Sequence, residues 1–334
     1  MKFLRFILFP IVPVYFVVTW FRNLMYDIGW KSSKSYDFPI LCVGNLSTGG
    51  TGKTPMVEYL IRLLKDDLRL ATLSRGYGRK TKGFVLGNPL SNAESLGDEP
   101  FQFYNKFSDG VLVAVDANRQ EGIAQLIQNE PKPQLIVLDD AFQHRKVKAG
   151  FYVMLTTYAN LYTKDFVLPS GNLREPKSGA KRANIIVVTK CPDDLTTAKK
   201  QAIVSEIKPL DYQNVFFSSI SYSTILYSEN KSLTLSELSD FKLITGIANA
   251  TPLVDFLTEK DLDFEHIAFK DHHNFNLQEI ERFSKYDCIV TTEKDYMRLK
   301  NESSLIGKLY YLPIKVEIDK AEKFNRLIKD FALY

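Results

Sequence analysis

The sequence predicts an α/β fold, on three observations. Short apolar runs alternate with helical patterns along most of the 334 residues. A glycine-rich stretch, "LSTGGTGKTP" at 46–55, stands between one such run and one such pattern. An apolar, aromatic stretch precedes both at the N-terminus.

That N-terminal stretch is "MKFLRFILFPIVPVYFVVTWFRNLMYDIGW". Its longest uncharged run, Phe6 to Phe21, has 16 residues and includes two prolines. A spanning helix needs about 20 residues, and bulky side chains stand where a cleaved leader needs small ones. Beyond Pro13, the residues Thr19, Arg22, Asn23, Tyr26 and Asp27 share one helical face, and valines, Phe16, Trp20, Leu24, Met25 and Ile28 fill most of the rest. Trp20, Trp30, Tyr15 and Tyr26 suit a headgroup boundary. The formal charge is +4, and Lys2, Arg5, Arg22, Lys31 and Lys34 against Asp27 place that whole surplus in residues 1–34. This segment is expected to lie in a membrane interface as a helix, drawn by anionic lipid. The remainder is charge-balanced, which offers no nucleic-acid footprint. Cys42, Cys191 and Cys288 form no CxxC pair and the four histidines no zinc spacing, so reduced, mostly buried thiols in a cytoplasmic protein are expected.

"DFPILCVGN" reads as a buried strand and "PMVEYLIRLLKDDL" as a helix, with Met56, Tyr59, Leu60, Leu63 and Leu64 at helical spacing. The loop between them has the chemistry of a phosphate cradle. Backbone N–H groups of Gly49, Gly50, Thr51 and Gly52 can wrap phosphate oxygens. Lys53 reaches the β- and γ-phosphates, and the Thr54 hydroxyl suits Mg²⁺. The pattern is G-x-x-x-x-G-K-[ST] with Ser47 at the first glycine, followed by Thr48. The fold class is therefore a P-loop (Rossmann-like) α/β/α domain with ATP as ligand. Its partner strand is "PQLIVLDD", whose Asp139 and Asp140 end an apolar run where a cation offsets paired carboxylates.

The acceptor leaves further marks. "LSRGYGRKTKG" (73–83) and "PSGNLREPKSGAKRAN" (169–184) carry more cations than ATP alone requires, which points to an anionic acceptor. Transfer to an alcohol needs a base, and Asp98 or Glu99 of "SLGDEPFQF" can serve, the other going to Mg²⁺. "FKDHHNF" (269–275) offers Asp271, His272 and His273 to orient that base.

The blocks "VGNLSTGGTGKTP", "LSRGYGR", "GDEPFQF", "LDDAFQHRKV", "PSGNLREP", "TGIANATPL", "FKDHHNF" and "VTTEKDYMRL", in this order, closely resemble the tetraacyldisaccharide 4′-kinase family, the lipid A 4′-kinases. The resemblance implies transfer of the ATP γ-phosphate, with Mg²⁺, to the 4′-hydroxyl of a tetraacylated glucosamine disaccharide 1-phosphate at the cytoplasmic face of the inner membrane. It implies Asp98 as base with His272 as its partner, and Lys53 and Thr54 on phosphates and metal. Asp139 and Asp140 match the acidic pair, Gln143 and His144 the polar pair after it. Arg75, Tyr77, Arg174 and Glu175 match positions near the acceptor. The chain departs from the family pattern at Ala141, where glycine is usual, and at Tyr296 and Met297, where smaller residues are usual.

Strands are expected at 39–44, 69–73, 111–115, 135–139, 185–190 and 214–218, then at 242–246, 266–269, 287–291 and 309–314. "NIIVVTKCP" is expected to end near the base, by analogy with other phosphate-loop folds. The polar stretch 221–240 reads as a linker between a nucleotide domain, 35–220, and a smaller α/β domain, 241–334. The rival reading is a membrane-associated ATPase switch acting through a protein partner. Such switches carry a lysine before the double glycine, and here that residue is Thr48.

Overall fold

A computed structural model describes residues 8–271 and 273–333. In chain order the strands are β1 (Ile40–Asn45), β2 (Leu70–Ser74), β3 (Val85–Leu86), β4 (Val111–Val115), β5 (Leu135–Asp139), β6 (Phe151–Thr157), β7 (Ile185–Thr189) and β8 (Asn214–Tyr222). They continue with β9 (Ile225–Tyr227), β10 (Ser232–Thr234), β11 (Phe241–Thr245), β12 (Phe264–Ala268), β13 (Ile289–Thr291), β14 (Leu309–Tyr311) and β15 (Ile314–Ile318). A nine-stranded sheet runs β15-β8-β7-β6-β1-β5-β2-β4-β3, and a six-stranded sheet runs β10-β9-β14-β13-β11-β12. The first is parallel except at its edges, where β3 and β15 are antiparallel.

β1 is central and buried at every residue, because helices cover both faces of a parallel sheet. It pairs with β5 in a register that sets Val43 beside Asp139. The glycine-rich loop and the acidic strand end therefore leave the sheet side by side, at the carboxyl edge where open α/β sheets take ligands. The helix Lys53–Leu64 buries Met56, Val57, Leu60, Ile61 and Leu64 against this sheet. β6 lies between β1 and β7 and was not among the expected strands.

The expected division of the chain needs correction. The stretch 221–240 holds β9 and β10, which pair in the second sheet. Pro313 splits the single strand expected at 309–314 into β14 and β15. From there the chain goes back: β15 pairs with β8, and Phe324, Ile328 and Ala332 of the helix Ala321–Leu333 enter the core of the first sheet. The smaller sheet is thus inserted between β8 and β15, and the last elements belong to the nucleotide domain. Polarity alone does not tell an amphipathic helix which of two sheets to cover.

The helix Val12–Asp27 is built as its pattern predicts, and the faces are inverted relative to an ordinary surface helix. Its polar side packs on the protein: Tyr15 Oη donates to the Arg174 carbonyl at 3.0 Å, Arg22 to the Gln143 carbonyl at 3.0 Å, and Asn23 to Glu175 at 2.6 Å. Val14, Val17, Val18 and Phe21 stay exposed, with Trp20 and Trp30 beside them. Among the described residues, no helix is long and apolar enough to cross a membrane.

Candidate active site

The glycine-rich loop takes its shape from two left-handed positions, Gly49 (φ 97°) and Gly52 (φ 87°), with Gly52 directly before the helix Lys53–Leu64. Asn45 Nδ2 donates to Thr51 Oγ1 at 2.8 Å and Thr189 Oγ1 to the Thr51 carbonyl at 2.8 Å, so the ends of β1 and β7 hold the loop. The amides of Lys53 and Thr54 are first-turn donors of the kind that bind anions. Ser47 and Thr48 do something else. Ser47 bridges Leu173, and the Thr48 amide donates to the Asn172 carbonyl at 2.8 Å. This backbone ties down the 172–174 segment, and Ser47 has no positive φ for a glycine to supply. The Thr48 amide is therefore already taken.

Asp139 is 6% exposed. Its Oδ2 accepts from Ser74 Oγ at 3.2 Å, while Oδ1 has no partner. Burial, then Asp140 and Glu99, push its pKa up to about 7. Glu99 is thus close enough for its charge to be felt at Asp139. A buried carboxylate oxygen without a donor, beside two more carboxylates, is a cation's environment and fits Mg²⁺. Among the described residues no group of three His, Cys, Asp or Glu forms a protein-only cage.

Asp140 adopts φ 48°, a left-handed conformation that Asp tolerates. The conformational demand of this turn falls on Asp140, so Ala141 needs no glycine. The turn aims the carboxylate at Lys53 Nζ (3.7 Å) and Arg174 Nη1 (3.0 Å). Burial alone would raise its pKa; Lys53 and Arg174 more than offset that and lower it.

The next wall is a buried network. Gln143 Nε2 donates to the Asn45 carbonyl (2.7 Å) and to Glu175 (2.9 Å). Glu175 is 1% exposed and also accepts from Asn23 and, at 2.6 Å, from Arg182. Glu175 therefore does not face an acceptor as expected. It joins the N-terminal helix to the loop bearing Arg174. Glu175→Ala is expected to cost about 3 kcal/mol in urea unfolding, because it leaves the largely buried Arg182 uncompensated. A loss below 1 kcal/mol would show that the network carries little. His144 is held to about 4 by burial and by Arg119, Lys146, Arg22 and Arg75, so it is neutral near pH 7. Its Nε2 is buried without a partner.

Opposite, the 75–79 loop lies against the turn before the helix Asp98–Phe107. A Cβ on Gly97 (φ 91°) would stand 2.8 Å from the Tyr77 carbonyl, and one on Gly76 (φ 68°) 2.9 Å from the Leu96 carbonyl. That contact needs both glycines and brings Arg75, Tyr77 and Asp98 to one side of the site. The Tyr77 ring is 71% exposed. Asp98 is the first residue of its helix and pairs with Arg298 through Nε at 3.1 Å and through Nη2. His272 lies outside the described residues. Its neighbours are placed: Asp271 lies 3.8 Å from Lys294, which is 3.7 Å from Glu99. His273 stacks on Phe269 and meets Glu279 at 2.9 Å.

Several site residues escaped the sequence reading. Arg119, 3% exposed, donates to the carbonyls of Asp116 and Asp139, and Lys190 comes near Gly50. Asp295 and Arg298 belong to the "TEKDYMRL" block, whose Tyr296 and Met297 are buried in the second sheet's core. The polar "DANR" after β4 was the available signal for Arg119. Arg298 had none, since its partner is 200 residues away.

A phosphate loop at the head of a helix, with a buried aspartate at the tip of the neighbouring parallel strand, defines a P-loop phosphotransferase. Residues 4–332 match the family model described as "Tetraacyldisaccharide-1-P 4'-kinase". The chain is 53% identical over 320 residues to the tetraacyldisaccharide 4′-kinase of Flavobacterium johnsoniae, covering 94% of this chain and 93% of that one. It is 42% identical over 348 residues to the one from Bacteroides thetaiotaomicron, covering 96% and 91%. The crystal structure of LpxK from Aquifex aeolicus in complex with ATP superposes with a TM-score of 0.79 at 30% identity, covering 98% of this chain and 99% of that one. The chain belongs to the tetraacyldisaccharide-1-phosphate 4′-kinase family, and with it to the ATP-dependent kinases of lipid A biosynthesis.

Proposed function

We propose that this kinase meets its acylated disaccharide acceptor at the cytoplasmic face of the inner membrane, docked there by residues 1–34, with Asp98 as the base. One observation carries the reading. The N-terminal helix binds the Arg174–Glu175–Gln143 network with its polar face and keeps its apolar face outward. A lipid-facing surface and the acceptor side of the site thus share one hydrogen-bonded unit. The charge surplus supports the same reading, because the sequence carries it within residues 1–34.

Lys53 and the amides of Gly49, Gly50, Gly52 and Thr54 bind the ATP phosphates, while the Thr51 amide turns to the Gly49 carbonyl at 3.1 Å. Lys53 exchanges Asp140 for phosphate, so the 3.7 Å pair is a resting contact. Thr54 and Asp139, with Asp140 and Glu99 at the margin, would hold Mg²⁺, which when bound neutralises charge on the transferring phosphoryl group. Arg75 and Arg174, with Tyr77, Gln143 and His144, orient the anionic acceptor. Asp98 takes the 4′-hydroxyl proton late, as the bond to phosphorus forms; a sugar hydroxyl loses it only then. His272 is its partner. The second sheet, docked on the helix Asp98–Phe107, keeps water from competing.

The test uses Val17→Asp with Phe21→Asp, both on the exposed face. Phosphate transfer to acceptor embedded in phosphatidylglycerol-containing vesicles is expected to fall about 10- to 100-fold. Transfer to detergent-dispersed acceptor should stay near the unsubstituted rate. Equal rates on vesicles would defeat the docking reading.

A further inference from the structure

Phosphate binding and acceptor binding leave one charged cluster unused. It lies where the helix Glu293–Leu299 of the second sheet crosses the helix Asp98–Phe107 of the first. Arg298 there is 8% exposed and divides its guanidinium between two carboxylates. Nε and Nη2 both reach Asp98 Oδ2, and Nη1 reaches Asp295 Oδ1 at 3.0 Å. Asp295 is fully buried. Its Oδ2 accepts the Gly246 amide at 2.8 Å and the Thr292 hydroxyl at 2.8 Å. An unbroken series of fixed contacts thus runs from the end of β11 through Asp295 and Arg298 to Asp98.

The two helices are also joined at their far ends. Lys106 is shared between Glu293 and Glu58, at 2.7 Å from the latter, and Gln102 donates to Glu58 at 2.8 Å. Glu58 lies on the helix that begins at Lys53. The helix carrying Asp98 is therefore clamped to the second sheet at one end, and to both the second sheet and the phosphate-loop helix at the other. A planar guanidinium fork fixes a carboxylate in a way an ammonium does not.

We propose that Arg298, held by buried Asp295, is a positioning residue: it sets the Asp98 carboxylate toward the acceptor hydroxyl and makes that setting depend on the docked second sheet. The inference rests on Asp98 being the base. Simple interdomain adhesion through the same pair would lower stability without selectively lowering kcat.

The test compares Arg298→Lys, Arg298→Gln, Asp98→Asn and the Asp98→Asn/Arg298→Gln double variant of the full chain, with ATP and acceptor in mixed micelles. Arg298→Lys keeps the charge beside Asp295 but loses the fork, and kcat is expected to fall about 30- to 100-fold, since a displacement near 1 Å costs about that much. KM for ATP and for acceptor should stay within about threefold, because the guanidinium is spent on Asp98 and Asp295. Arg298→Gln should add less than about threefold to the loss in Asp98→Asn, since a residue acting through Asp98 has nothing left to position. An unchanged kcat in Arg298→Lys, or a full additional loss in the double variant, would overturn the proposal. A near-normal rate in Asp98→Asn alone would overturn the base assignment itself and is read first. Should Arg298→Gln fail to fold, the lysine variant still decides through its kcat and KM.

Discussion

Asp98→Asn is expected to lower kcat for phosphate transfer by about 10²- to 10⁴-fold while leaving KM for ATP nearly unchanged. The substitution keeps the shape of the side chain and an oxygen that can accept from Arg298. It removes the negative charge and with it the capacity to take a proton. Asp98 begins a helix beside the loop carrying Arg75 and Tyr77. Loss of its charge should therefore not be felt as weaker nucleotide binding. The measurement is transfer of labelled γ-phosphate in mixed micelles, with ATP and acceptor titrated separately. A kcat within threefold of the unsubstituted enzyme would remove Asp98 as the base.

Lys53→Met is expected to lower kcat by about 10²- to 10³-fold, the effect of losing one preorganised charge on the transferring group. Methionine keeps most of the stem and none of the charge. In the resting site the ammonium stands 3.7 Å from Asp140, which also holds Arg174 at 3.0 Å. Asp140 thus keeps one cation in the variant, and stability should change by less than about 1 kcal/mol. Thermal unfolding together with turnover separates the two effects. A large fall in melting temperature with intact kcat would mean that Lys53 serves the fold through Asp140 and not the phosphate.

Much of the nucleotide half was legible because its signals are local. Strand, glycine turn, lysine and helix occupy 16 consecutive positions from Ile40 to Pro55, and each dictates its own backbone. The N-terminal helix was legible for the same reason, since its polar stripe obeys helical spacing. The inverted direction of that stripe was not: only contact with Gln143, Arg174 and Glu175 shows that the polar side faces inward. β6 went unread although "FYVML" is apolar, because a strand's place between two others depends on partners distant in sequence. Glu175 was placed near the acceptor by the family resemblance, which matches a position and not its burial. Burial and three internal donors decide otherwise.

The sequence by itself determined the donor chemistry and the family. Phosphate binding by backbone amides needs particular dihedrals, and those are written in neighbouring residues. Only the tertiary structure decided which charges work in pairs. Asp139 meets Ser74 and the field of Glu99, Asp140 meets Arg174, and Asp98 meets Arg298, each across a gap that chain order does not encode. It also decided that the last strand and helix return to the first sheet, because an amphipathic helix is satisfied by any apolar surface and the fold supplies the one it covers.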